Sequence, residues 1–319
     1  MALVYRMSGD YGHATPLVKQ SLSIARELKD AKLTALATEC GKSREIAAQL
    51  AEEKYEDAAE TVEQALGPTI FSRRVANTFG ERRSNACELK GAVLALPKLA
   101  KGAVVTTNFD RILERTFAEA GSPFEQVVWG SQVDSMRRAI AENKPFLLKV
   151  HGDAEERSGR VLTKSEYEAN YAPGDPDSLR AQLGRLFQGR TLLFVGCNLG
   201  KDRTMEVLLD VLMRSSGVEH FAILDRPVSD DELFEKQRRL GERGILPIWY
   251  PHGRHDLIEP LLRWIAKSES MQILLDQTEE FLAAVRYFRK KDLIDQEIAL
   301  KNQDEAMNRY WLAKLGRKL

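Results

Sequence analysis

The sequence predicts an α/β fold: a parallel sheet covered on both faces by helices, with one helical stretch ahead of it and another behind. Three observations predict it. Short, nearly continuous apolar runs begin at about residue 102, amphipathic stretches separate them, and the two flanks hold helical spacing without a strand-like run. Strands that are apolar throughout, rather than at alternate positions, are what a sheet buried on both faces requires.

The elements can be justified in order. Residues 17 to about 97 read as helical. "PLVKQSLSIARELKDAKLTALATEC" sets Leu17, Val18, Leu22, Ile24, Ala25 and Leu28 near helical spacing, and "REIAAQLAEEKYEDAAETVEQAL" continues it in Ala, Glu and Leu. The strand candidates are "AVVTT" (103–107), "QVVW" (126–129), "FLLKV" (146–150), "TLLFV" (191–195), "HFAIL" (220–224) and "LPIWY" (246–250). Between and after them "RILERTFAEAG", "LRAQLGRLFQ", "MEVLLDVLMRSS", "DDELFEKQRRLGERG" and "LIEPLLRWIAKS" read as helices. From about 269 the chain is helical and charged. Its aromatic residues Phe288, Tyr310 and Trp311 fit either packing helices or a docking and oligomerisation arm.

Composition bounds the function classes. Lys+Arg and Asp+Glu are both 47, so no net field draws in nucleic acid or an acidic membrane surface. No apolar run approaches the length of a membrane span, and the N-terminus lacks the apolar core of a signal peptide. Cys40, Cys87 and Cys197 lie far apart with no CxxC, which argues against a zinc ribbon or a disulfide framework. The expectation is a cytoplasmic, thiol-reduced protein without a metal.

A parallel sheet binds ligands at the carboxyl ends of its strands, so the residues just after each strand matter most. "VVTTNFDRIL" places Thr106, Thr107, Asn108 and Asp110 between a strand and an amphipathic helix. Helix capping accounts for one such residue; a carboxamide also offers donors and acceptors to a sugar hydroxyl or a water. "FLLKVHGD" places His151 and Gly152 at the next such edge. Histidine suits proton transfer near neutral pH, and glycine permits close approach of backbone or ligand. "RTLLFVGCNLGKDRT" resembles a phosphate loop only at first sight. Three residues, not four, separate Gly196 from Gly200, and Asp202 stands where the magnesium-holding hydroxyl belongs. It reads instead as about the fifth strand, with Gly196-Cys197-Asn198 as a floor for a ribose or adenine. His252 and His255 have H-x-x-H spacing, but capping and surface exposure explain them without a metal.

In this order, T-T-N-F-D, K-V-H-G-D and F-V-G-C-N-L, with "VLTKSEYEANY" (161–171) after the second, resemble the prokaryotic sirtuin-like NAD-consuming domains over roughly residues 100–268. The resemblance implies a Rossmann-like parallel sheet that binds NAD as substrate and breaks its nicotinamide–ribose bond. It implies that Asn108 orients the ribose or the attacking water and that His151 acts as base toward a ribose hydroxyl. It also implies that Thr106, Thr107, Asp110, Gly152, Gly196, Cys197 and Asn198 contribute to NAD binding. Asp110 would support the T-T-N turn and Gly196-Cys197-Asn198 would meet the adenosine ribose. The family opens with a strand and a G-A-G-x-S loop. Here "MSGDYGHATPLVKQSL" leads to the expectation that both are missing from an otherwise helical 1–99, ahead of a Rossmann-like core at 100–268 and a C-terminal helical extension at 269–319. The implied function is an NAD glycohydrolase acting as an anti-phage effector, as a homo-oligomer and/or with a sensor partner. A catalytically impaired assembly module and a NAD-dependent protein deacylase are the alternatives. The absent CxxC pairs weigh against the deacylase.

Overall fold

The structure is a computed structural model and describes residues 2–5, 42–52, 54–100, 102–130, 132–142, 144–172, 175–187, 190–197, 199, 210 and 219–266. Its centre is a seven-stranded sheet: β1 (Ala2–Tyr5), β2 (Val104–Thr106), β3 (Gln126–Trp129), β4 (Phe146–Lys149), β5 (Leu192–Val195), β6 (His220–Asp225) and β7 (Ile245–Tyr250). The spatial order is β3-β4-β2-β1-β5-β6-β7, and every pairing is parallel. All six strand candidates are present within a residue or two of their expected bounds.

The expectation that the first strand is missing is overturned. Ala2–Tyr5 is the central strand, registered against β2 on one side (Leu3↔Val104, Tyr5↔Thr106) and β5 on the other (Leu3↔Leu193, Tyr5↔Val195). Four residues at a chain end carry too little pattern to read as a strand alone. What fixes them is two ladders of backbone hydrogen bonds, to segments about 100 and 190 residues away in sequence. The segment that follows, with Ser8, Gly9 and Gly12, lies outside the described residues, as do the expected helix at 205–216 apart from Asp210 and the extension from 269.

Consecutive strand residues face opposite layers, as the two-residue period dictates. Val104, Leu147, Leu193 and Phe221 pack with Leu96, Leu113, Phe117, Ile258 and Leu262. Their neighbours Val105, Leu148, Phe194 and Ala222 pack with Met136, Leu183, Leu186 and Phe187. Pro247 sits in β7, which among the described residues pairs only with β6. An edge strand tolerates the missing N–H.

Between β1 and β2 the chain forms α1 (Ser43–Ala51), α2 (Tyr55–Leu66), α3 (Pro68–Phe79), α4 (Glu81–Ala86), a 3-10 turn (Gly91–Ala95) and α5 (Leu96–Leu99). Gly67 at φ 77° breaks α2 from α3, and Pro68 opens the new helix, where its missing N–H is not needed. Ala58, Ala59, Val62, Phe71 and Val75 make a small core that also takes in Ala154 and borders Phe109 and Leu162. The insertion therefore packs against the segments that follow β2 and β4. The remaining described helices are α6 (Ile112–Glu119), α7 (Val133–Glu142), α8 (Lys164–Asn170), α9 (Leu179–Phe187), α10 (Asp230–Gly241) and α11 (Ile258–Ile265). Among the described residues no helix is long and apolar enough to cross a membrane.

Candidate active site

Registered pairs place the ends of neighbouring strands side by side. Lys149 of β4 pairs with Thr106 of β2, which pairs with Tyr5 of β1, which pairs with Val195 of β5. Neighbouring strands lie about 4.8 Å apart. Asn108 and His151 each stand two residues beyond the Thr106–Lys149 pair, so both lie at the carboxyl edge on adjacent strands. Val150 N–H donates to Thr106 O (2.8 Å) and extends that ladder to the base of His151.

The T-T-N-F-D turn is held by its own short side chains. Asn108 N–H donates to Thr106 Oγ1 (3.1 Å), and Ile112 N–H, at the start of α6, donates to Asp110 Oδ1 (3.0 Å). Asp110 thus holds the turn just ahead of α6, while the N-cap position itself, Arg111, makes no side-chain cap hydrogen bond. Thr106 and Thr107 are buried and the Asn108 side chain is half-buried. Burial pushes the Asp110 carboxyl above its ordinary value, against the opposing pull of the Ile112 N–H and Lys149.

His151 is buried between aromatic rings. Phe109 lies on one side with ring centroids 6.1 Å apart, and Tyr167 meets it edge-on at 5.3 Å. Its Nε2 lies 3.1 Å from the Tyr167 hydroxyl. Gly152 has φ 80°, and a Cβ there would stand 2.3 Å from Gly159 O. The close approach that glycine permits at this position is therefore one of backbone: the 159–160 segment folds over the His-Gly turn, and Val161 N–H donates to His151 O.

Beneath both turns lies an ionic network that pattern reading missed. Lys149 has no exposed surface. Its three N–H donors are shared among Asp153 Oδ2 (2.8 Å), Asp110 O (2.8 Å), Glu114 Oε1 (3.1 Å) and Phe109 O (3.2 Å). Arg111 donates to both Asp153 oxygens (3.1 and 3.4 Å) and to Glu81 of α4 (2.9 Å). Burial alone would raise the Asp153 carboxyl; the hydrogen bonds from Arg111 and Lys149 outweigh it and hold the carboxyl below its ordinary range. Burial keeps Glu114 above its ordinary value even so. One ammonium thus ties the carbonyls next to Asn108 to the strand that delivers His151. The signal was available in the sequence: a lysine closing the wholly apolar run "FLLK" must find partners.

Residues 102–253 match the profile of the SIR2-like domain. The chain is 27% identical over 199 residues to the NAD(+) hydrolase ThsA of Cytobacillus dafuensis, a match covering 59% of this chain and 37% of that protein. It is 23% identical over 180 residues to the NAD(+) hydrolase ThsA of Enterococcus faecium, covering 53% and 35%. The aligned part thus spans little more than a third of the length of these relatives. The SIR2-like match begins just before β2 and contains both turns and the network beneath them apart from Glu81.

The chain contains a SIR2-like domain.

Within the SIR2-like domain, β5 delivers the third motif. The strand order reverses between β1 and β5, where such sheets form their ligand crevice. Gly196, one residue beyond Val195, turns the chain there at φ 73°. Cys197 and Leu199 are buried and belong to the core cluster on one face of the sheet. Asn198 lies outside the described residues. His252 Nδ1 pairs with Asp225 (3.2 Å), whereas His255 Nδ1 meets the Tyr250 hydroxyl (2.8 Å), so the H-x-x-H pair diverges to separate partners. Asn108 and His151 thus follow adjacent strands at one edge of the sheet, with Gly196 across β1 from them.

Proposed function

We propose that this chain is an NAD glycohydrolase that cleaves the nicotinamide–ribose bond. The observation that carries the reading is the register of β2 and β4, which sets Asn108 and His151 side by side at the carboxyl edge of a SIR2-like sheet. Two relatives named NAD(+) hydrolases support it. Nicotinamide leaves as a neutral base from a cationic ribosyl centre, so the reaction needs no strong general acid. The ribose passes through an oxocarbenium-like state, as in sugar hydrolysis. Asn108, with a donor and an acceptor on one side chain, orients the ribose or the attacking water. His151 accepts a proton from a ribose hydroxyl. Thr106, Thr107, Gly152 and the turn beginning at Gly196 line the NAD site, and Asp110 holds the T-T-N turn. The reading extends to an effector of anti-phage defence that depletes NAD when a partner or self-assembly triggers it, a role implied by the family resemblance.

Purified protein, alone and with the products of neighbouring genes, is expected to release nicotinamide from NAD. Asn108→Ala and His151→Ala should each lower that rate at least about 100-fold with an unchanged circular-dichroism spectrum and melting temperature. Folded wild-type protein that releases none under any of these conditions would refute the reading.

A further inference from the structure

We infer that Tyr167 is the positioning residue for His151, fixing its ring plane and its tautomer through the hydroxyl. The inference rests on the reading of His151 as the base in NAD cleavage. A histidine that exchanges a proton with substrate is set up by the hydrogen bond at one of its ring nitrogens, because that bond decides which nitrogen carries the proton. Here the bond is Nε2 to the Tyr167 hydroxyl, 3.1 Å, between two buried side chains. For His151 to take a ribose proton at Nδ1, Nε2 must carry the ring proton, and the Tyr167 oxygen is the acceptor that receives Nε2–H both before and after the transfer.

Tyr167 is itself rigidly placed. It lies in α8, whose start is closed by a capping box: Glu166 accepts from Thr163 N–H (2.9 Å) and Leu162 N–H (2.8 Å), while Thr163 Oγ1 accepts from Glu166 N–H (3.4 Å). Its ring stacks on Tyr171 with centroids 5.6 Å apart and planes 17° apart. The Phe109 ring also borders the imidazole, with centroids 6.1 Å apart and planes 35° apart. The motif "VLTKSEYEANY" thereby acquires a purpose: it builds a short capped helix that aims one hydroxyl at His151.

Tyr167→Phe keeps the ring and its stacking and removes only the oxygen, so the variant should stay folded, with a melting temperature lowered by no more than several degrees for the one lost buried hydrogen bond. Two readouts on the full chain decide the matter. In steady-state NAD hydrolysis, kcat should fall about 10- to 100-fold, the usual effect of a misplaced catalytic group, while KM changes less than about two-fold. In nitrogen-15 spectra of the imidazoles, the His151 signals, assigned among the five histidines by their loss in His151→Ala, should show one tautomer in wild type. They should shift toward a mixture in Tyr167→Phe. A variant with wild-type kcat, or one whose loss lies wholly in KM, overturns the inference, as do unchanged His151 signals. If wild type releases no nicotinamide, the functional reading fails separately and the imidazole signals alone decide for or against Tyr167.

Discussion

A lysine with no exposed surface is expensive unless its charge is met and its N–H groups are satisfied. Lys149 satisfies both conditions with two carboxylates and two carbonyls, and the second carboxylate contact of Asp153 goes to Arg111. Removing the Asp153 charge while keeping its shape takes away the one carboxylate shared by both cations and leaves Lys149 to Glu114 and Arg111 to Glu81, so Asp153→Asn should destabilise the protein by roughly 3 kcal/mol at neutral pH. The Asp153 carboxyl lies below its ordinary value of 3.8 in the fold. The stability it contributes is therefore complete above that value and is lost as the pH falls through the lower folded value. Urea melts at about pH 7 and about pH 2 should show the gap between wild type and Asp153→Asn closing at the acid end. A gap of constant size would contradict the assignment of the charge to this network.

At the scale of elements, a buried guanidinium joins the helical insertion to the segments that follow β4, beside the apolar contacts of the small core. Arg160 Nη2 lies 3.3 Å from Glu63 of α2 and 3.4 Å from Glu166 of α8, its Nη1 donates to Ser72 of α3 (3.2 Å), and its Cζ stands 4.9 Å over the Phe71 ring. Burial, and then the like charge of Glu166, push the Glu63 carboxyl above its ordinary value. Arg160→Met should thus loosen α2 and α3 from α8, with like charges left across the seam. Hydrogen exchange should quicken in α2, α3 and α8 while β4, β5 and β6 keep their protection. Equal loss of protection in the sheet would mean that the insertion is no separate unit of stability. The helical reading of this stretch was legible because Ala58, Ala59, Val62, Phe71 and Val75 repeat at helical spacing. Its docking partner was not legible, since a charged Arg160 in a loop reads as solvated.

At the scale of the whole molecule, the sheet turns on β1. It joins the two halves of the strand order, and every other described strand reaches its opposite half only through it. Val4 pairs with Val105 and Phe194. Val4→Pro removes a donor from the centre of the sheet, and a buried carbonyl without its partner costs about 1–3 kcal/mol. A lowered midpoint in thermal or urea melts checks this; the variant behaving like wild type would remove β1 from the centre of the sheet.

Six strands, the helices around them and the two polar turns carrying Asn108 and His151 were readable in order along the chain. Each leaves a local mark: apolar throughout for a strand buried on both faces, apolar at every third or fourth position for a helix, and polar residues with glycine where a strand opens into a ligand edge. Those marks record how each residue meets solvent, and the sequence by itself determined that much. Only the tertiary structure decided that Ala2–Tyr5 is the central strand, that Lys149 joins the two turns from beneath, and that Tyr167 meets His151. Each of these depends on a partner between 16 and about 190 residues away. A partner at that distance leaves no period in the sequence, because the chain must fold before the two groups share a neighbourhood.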